Sequence, residues 1–221
     1  MMAVFEKGER LRHIGHLDIQ RAMQRALRRS GLPVAYSNGF NPHILLTFAS
    51  ALSTGAAGRR ELLETSLTED VSCEDFMRAM NGALPPDLQL SECRALPERH
   101  PALMAMVAAA EYDIHVTDYA AAEKLAQALP GFLAQEHVMA VRKTKSGEKE
   151  VDCRAQILSL TAEGDALRTT LVLTERESCK PDMLMKALSA FAAVEVPRVL
   201  VVRQRLLGLD GEGSLRPLEE L

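Results

Sequence analysis

The 221-residue sequence contains no apolar run approaching the roughly 18 residues that a membrane-spanning helix requires. Its first residues, MMAVFEKGER, reach charge too early for a secretory signal. A cytoplasmic protein is expected. The four cysteines, Cys73, Cys93, Cys153 and Cys179, lie at least 20 residues apart. Neither a zinc site nor an iron–sulfur site can be read from such spacing, and a reducing compartment implies free thiols. Without a three-cysteine cluster motif, radical chemistry within this chain is not expected. A Rossmann glycine fingerprint and a P-loop are both missing, so no nucleotide cofactor is indicated and no metal site is assigned.

What is present is a foldable chain with an uneven charge. Apolar residues make up 47% of it, enough for real cores and inconsistent with disorder. The length suits one large domain or two of about 100 residues. The net charge of −4 hides an asymmetry: residues 1–60 hold nine Lys and Arg against three Asp and Glu, whereas residues 61–221 hold 17 against 27. A basic segment on an acidic protein attracts phosphate locally while the remaining surface repels it, which favours a defined site.

Hydrophobic periodicity gives alternating strands and helices. Met2 to Phe5 and Arg10 to Ile14 read as strands. A helix follows from Asp18 to Ser30, closed by Gly31 and Pro33. Val34 to Tyr36, Ile44 to Leu52 and Leu62 to Leu67 read as strands, with a flexible loop from Ser53 to Arg60. Ser72 to Met80 is helical and Leu88 to Ala95 is a strand. After the linker Pro97 to Pro101, the second half gives a strand at Ala108 to Val116 and a helix at Ala120 to Leu129, ended by Pro130 and Gly131. Strands are expected at Val138 to Arg142, Val151 to Leu160 and Leu167 to Thr174. A helix from Pro181 to Phe191 and a strand at Arg198 to Arg205 complete it. The order implies an α+β protein with two ferredoxin-like (β-α-β-β-α-β related) domains in tandem, at residues 1–96 and 102–207, with 208–221 as a tail.

The first helix has two faces. At about 100° per residue, Ile19, Ala22, Met23, Ala26 and Leu27 form an apolar stripe, and Arg21, Arg25, Arg28 and Arg29 gather on the far side. No Asp or Glu stands four residues away from these arginines. Like charges on one face repel unless something anionic meets them, and guanidinium groups suit phosphates and stacked bases. The plainer alternative is a solvated face.

Tyr36 to Phe48, YSNGFNPHILLTF, begins with a turn rich in residues that tolerate left-handed or preset backbone. In a fixed, exposed loop, Tyr36 and Phe40 offer faces to a nucleobase, and Asn38, Gly39, Asn41 and His43 offer polar groups to its edge or to a phosphate. Pro42 rigidifies the turn. Alternatively, Phe40 anchors the loop in the core and His43 caps a backbone carbonyl. His13, His16 and Asp18 precede the arginine helix, and His16 would approach His43 if the flanking strands were neighbours. A second basic element is VRKTKSGEKEVD, a hairpin that would project Arg142, Lys143 and Lys145.

The run GHLDIQRAMQRALRRSGLPVAYSNGFNPHILLTFASALSTG resembles the signature of the radical-SAM-linked protein family, bacterial proteins found beside, or fused to, radical S-adenosylmethionine enzymes. The resemblance rests on His16-Leu17-Asp18, Arg21 with Arg25, Arg28-Arg29, Leu32-Pro33 and Gly39 to His43, and extends to Arg142 to Gly147. Gly15 stands where a Ser is usual, and Ile44 where a second Pro is common. The likeness implies a partner enzyme more firmly than a reaction. The favoured reading is a non-catalytic, RNA-binding accessory that presents structured RNA, tRNA or rRNA, to a radical S-adenosylmethionine-type modifying or processing enzyme. Two alternatives stand beside it: a protein-docking module without RNA contact, and a metal-independent ribonuclease-like enzyme using His16 and His43.

Overall fold

The computed structural model describes residues 1–144, 147–174 and 176–221. The chain is α+β and divides into two compact units, one formed by Met1–Val107 with Gly208–Leu221, the other by Ala108–Leu207. Among the described residues, no helix is long and apolar enough to cross a membrane.

In the first unit the order is β1 (Met2–Lys7), α1 (His16–Arg29), β2 (Leu46–Phe48), β3 (Ala56–Thr65), α2 (Cys73–Ala83) and β4 (Leu90–Arg94), followed by a short α3 (Leu103–Met106). The strands line up as β4-β1-β3-β2, and each adjacent pair is antiparallel. β1 lies between β4 and β3, and its Met2, Ala3, Val4 and Phe5 are all buried; since successive side chains alternate in direction, both faces of this strand are covered. Ala3, Phe5 and Leu63 meet Met23 and Leu27 of α1 and Phe76 and Met80 of α2 in one apolar core. Each large apolar side chain among them contributes about 1.5–3 kcal/mol by leaving water. α2 starts where Ser72 Oγ accepts the amide of Asp75 at 3.1 Å and donates to its carboxylate at 2.7 Å, a side-chain cap for otherwise orphaned donors.

The second unit follows with β5 (Val107–Val116), α4 (Tyr119–Leu133), β6 (Met139–Thr144), β7 (Gly147–Asp152), β8 (Ile157–Glu163), β9 (Ala166–Val172), α5 (Pro181–Phe191) and β10 (Val199–Leu209). Its strand order is β10-β5-β9-β8, and β6 and β7 form a separate two-stranded ribbon. Pro181 sits at the start of α5, where its missing N–H costs nothing.

Several elements depart from the sequence reading. Arg10 to Ile14 is not a strand; Glu9–Leu11 is a 3-10 turn, with Leu11 N donating to Gly8 O at 2.9 Å and Ile14 N to Leu11 O at 2.8 Å. The stretch expected as a loop from Ser53 to Arg60 enters β3 at Ala56. Its small residues serve packing: Ala56 and Ala57 are buried, and the Glu61 side chain fills the space a Cβ at Gly58 would need. α4 runs through Pro130 and Gly131 to Leu133. A Cβ at Gly131 would stand 3.2 Å from the Phe191 ring, so the glycine gives that ring room, and Phe132 meets Phe191 edge-on with centroids 5.8 Å apart.

Val151 to Leu160 is two strands, not one. Asp152 breaks it by accepting the amides of Val138 and Arg154, each at 3.0 Å. Finally, residues 208–221, expected as a tail, carry β11 (Leu215–Pro217) and a 3-10 turn at Leu218–Glu220. Leu218 there has 0% exposure, and Glu219 accepts from Arg60 at 2.6 Å.

Candidate nucleic-acid interface

The first site element is α1, and its periodicity places the side chains. Ile19, Met23, Ala26 and Leu27 are buried, Ala22 is partly buried, and Arg21, Arg25, Arg28 and Arg29 lie exposed on the other side. The four arginines are not equivalent. Arg21 bonds to Asp18 one turn earlier at 2.9 Å, a partner three residues away that a search at four misses. Arg29 donates to the carbonyl of Ala83 at 2.6 Å and so fastens α1 to the end of α2. Arg25 and Arg28 donate to no side-chain or backbone acceptor among the described residues. The C-terminal dipole favours cations in the last turn, which suits Arg28, but Arg25 lies further back. These two charges face solvent at a spacing that costs repulsion energy in the free protein.

The second element is the loop that leaves α1. Tyr36 and Ile44 form an isolated antiparallel bridge, and Leu45 N donates to Ala35 O at 3.0 Å, so the chain reverses between residues 37 and 43. A staple closes the reversal. Ser37 N donates to His43 O at 2.8 Å, Ser37 Oγ accepts His43 N at 3.1 Å, and the same Oγ lies 2.8 Å from His43 Nδ1. His43 therefore locks the loop by bonding a hydroxyl across its neck, which differs from the backbone-carbonyl cap of the plainer sequence alternative.

The staple leaves Asn38, Gly39, Phe40, Asn41 and Pro42 at the tip, with Phe40 fully in solvent. Gly39 adopts φ 116°, a conformation other residues rarely accept. Phe40 is 105% exposed and Tyr36 46% exposed, so Phe40 does not anchor the loop in the core. Asn38 and Asn41 have no side-chain partner among the described residues. An open aromatic ring flanked by two free amides on a fixed loop can stack on one face of a base and bond its edge.

His16 has different surroundings. At the first position of α1 its ring packs edge-on against Phe48 with centroids 5.1 Å apart. It lines a cavity of about 10 Å³ with Lys7, Glu61, Ser50 and Phe5, and His43 is not among the lining residues. That space holds about one water molecule. Lys7 and Glu61 are each 2% exposed, and Lys7 Nζ donates to Arg12 O at 3.2 Å and Ala56 O at 3.1 Å. The arrangement ties the β1–α1 turn to β3. Asp18 is engaged by Arg21, and Pro42 lies exposed at the loop tip, where its ring fixes φ.

The β6–β7 ribbon is less cationic than its sequence suggests. Arg142, expected to project outward, is half-buried and donates to Ser178 O at 2.6 Å. Arg142 stands opposite Lys149, but Lys143 stands opposite Glu148 and Val141 opposite Glu150, so the ribbon mixes signs. Lys145 lies outside the described residues.

The sequence offered no local signal for the thiol pairs. All four cysteines are free, yet Cys93 meets Cys73 and Cys179 meets Cys153. Burial, and then the neighbouring Cys73 thiol, pushes Cys93 up to about 12. The Cys179 thiol donates to Cys153 and holds it below the usual range, while Cys179 itself is pushed up. Raised thiols are poor nucleophiles at neutral pH.

A family model described as "Uncharacterized protein conserved in bacteria (DUF2344)" matches residues 1–181. No curated protein matches the chain.

Proposed function

The chain belongs to this conserved bacterial family, and we propose that it is an RNA-binding accessory protein whose contact surface is the first unit. The observation that carries this reading is the pairing of a partnerless Arg25 and Arg28 on α1 with the fully exposed Phe40 on the stapled loop immediately after α1. The guanidinium groups engage backbone phosphates, which sets affinity. The loop takes an unpaired base, Phe40 and Tyr36 by stacking and Asn38 and Asn41 by hydrogen bonds. A single-stranded or looped segment of a structured RNA, such as tRNA or rRNA, fits these requirements better than a duplex, whose bases are not free to stack on a side chain.

The proposed scaffold is two ferredoxin-like domains in tandem. The element order β-α-β-β-α-β and the strand orders β4-β1-β3-β2 and β10-β5-β9-β8 support it, with the β6–β7 ribbon inserted into the second copy. The proposed partner is a radical S-adenosylmethionine enzyme that modifies or processes the bound RNA. This rests on the resemblance carried by His16 to Asp18 and Gly39 to His43. The protein acts here by binding and presenting, a role that its two histidines in separate surroundings suit better than paired acid–base catalysis.

Crosslinking to RNA in living cells, followed by sequencing, tests the reading, with the Arg25→Glu/Arg28→Glu variant as control. Enrichment of one RNA class that the variant loses is expected. Equal recovery from both proteins contradicts it. Co-purification with a radical enzyme that survives nuclease treatment, with no RNA enriched, assigns the basic helix to protein docking instead.

A further inference from the structure

Apart from the proposed RNA surface, the first unit holds a groove of about 410 Å³, within the range of small-molecule sites. Residues 94–101, α3 and the C-terminal turn form it, and Leu96, Leu103, Met106, Leu218 and Leu221 give it apolar walls. Two guanidinium side chains, Arg94 and Arg99, and the His100 ring join them.

The charges are unevenly matched. His100 Nδ1 lies 2.8 Å from Pro101 O and Nε2 lies 3.2 Å from Glu64 Oε1. Both ring nitrogens of His100 thus already face acceptors within the fold. Arg94 and Arg99 form no ion pair and no side-chain hydrogen bond among the described residues, and Arg94 Nε is buried without an acceptor. A buried donor left unmatched is destabilising, and native proteins rarely keep one without a purpose. A neutral apolar ligand would fill the walls and leave that donor unmet. A bare inorganic anion would meet the arginines and leave the leucines wet.

We propose that this groove binds a small amphipathic anion: an apolar body against Leu103, Met106 and Leu218, and a carboxylate, sulfonate or phosphate head received by Arg94, with Arg99 at the exposed rim. The planar guanidinium fork suits such heads. This site does not depend on the RNA reading, because none of its residues belongs to α1 or to the loop of residues 36–43.

The test titrates the full chain with 1-anilinonaphthalene-8-sulfonate and with its uncharged relative N-phenyl-1-naphthylamine. Saturable, one-to-one fluorescence enhancement is expected with the sulfonate, displaced by decanoate and not by decanol at equal concentration. The uncharged dye should bind at least tenfold more weakly. Arg99→Glu, on an exposed position where folding is not at stake, should weaken the sulfonate at least tenfold. Leu96→Trp, which fills the groove, should abolish binding while the cooperative melt is retained. Absence of saturable binding, equal binding of the two dyes, or an Arg99→Glu affinity within twofold of the parent overturns the proposal.

Discussion

At Phe40 the ring is fully exposed and makes no ring contact among the described residues, so truncating it separates the proposed recognition from folding. Phe40→Ala should leave the melting temperature unchanged. It should weaken binding to an unstructured RNA by about 1–3 kcal/mol, the range for one stacked base, read by fluorescence anisotropy. An unchanged affinity would remove the loop from the interface. A second residue gives a pH signature. Asp152 accepts from the amide of Arg154, then from the His137 ring and the Val138 amide, and these hold its carboxyl down at about 2. An unfolded Asp titrates near about 3.9. Because the folded value is the lower, the stabilisation is complete above about pH 4 and is lost as pH falls towards 2. Asp152→Asn should flatten this acid limb in equilibrium unfolding; a slope equal to the parent's between pH 4 and 2 would contradict the assignment. Some residue roles could not be read from sequence for a definite reason. The anchors of Arg29 and Arg142 are carbonyls 54 and 36 residues away, and the Ser37–His43 bond exists only once the chain has reversed.

Among the elements, the helices whose signals are local were the most legible. α1 was expected at Asp18 to Ser30 and spans His16–Arg29; α5 was expected at Pro181 to Phe191 and spans those residues. Their stripes recur at helical spacing, and Gly31 or Pro181 punctuates an end. Where tertiary packing decides, the local signal misled. Pro130-Gly131 looks like a stop, yet α4 continues because Phe132 has a buried slot and Gly131 lets Phe191 approach. Ala56-Ala57-Gly58 looks like a flexible loop, yet it is the start of β3 at a crowded position. The cap of α4 gives an element-scale prediction. Asp118 Oδ1 accepts the amides of Ala120 at 2.9 Å and Ala121 at 3.2 Å. Asp118→Ala should cost about 1 kcal/mol, within the usual range of roughly 0.5–2 kcal/mol for a lost cap, measured by denaturant unfolding. Asp118→Asn should recover most of it. A loss that Asn does not recover would mean that the carboxylate acts by charge and not as a cap.

For the whole molecule, the net charge of −4 argues against indiscriminate attraction to polyanions, so any RNA binding must be local and salt-sensitive. The basic balance of residues 1–60 was legible from composition alone. Which cations remain available was not, since Arg21, Arg29 and Arg142 are already engaged within the fold. The electrostatic part of the proposed RNA contact therefore rests on Arg25 and Arg28. It is tested most sharply by the affinity for a single-stranded RNA as a function of salt concentration, for the parent protein and for Arg25→Glu/Arg28→Glu. Both substitutions lie on the exposed face of α1, and the carboxylate introduced at position 25 would gain Arg21 as a neighbour one turn away, so the fold is retained. Affinity in the parent should fall steeply with salt. In the variant it should drop at least tenfold at low salt, and the log–log slope should be shallower by about 1.4, the counterion release of two phosphate contacts. Equal affinities and equal slopes for the two proteins would refute an RNA contact through α1.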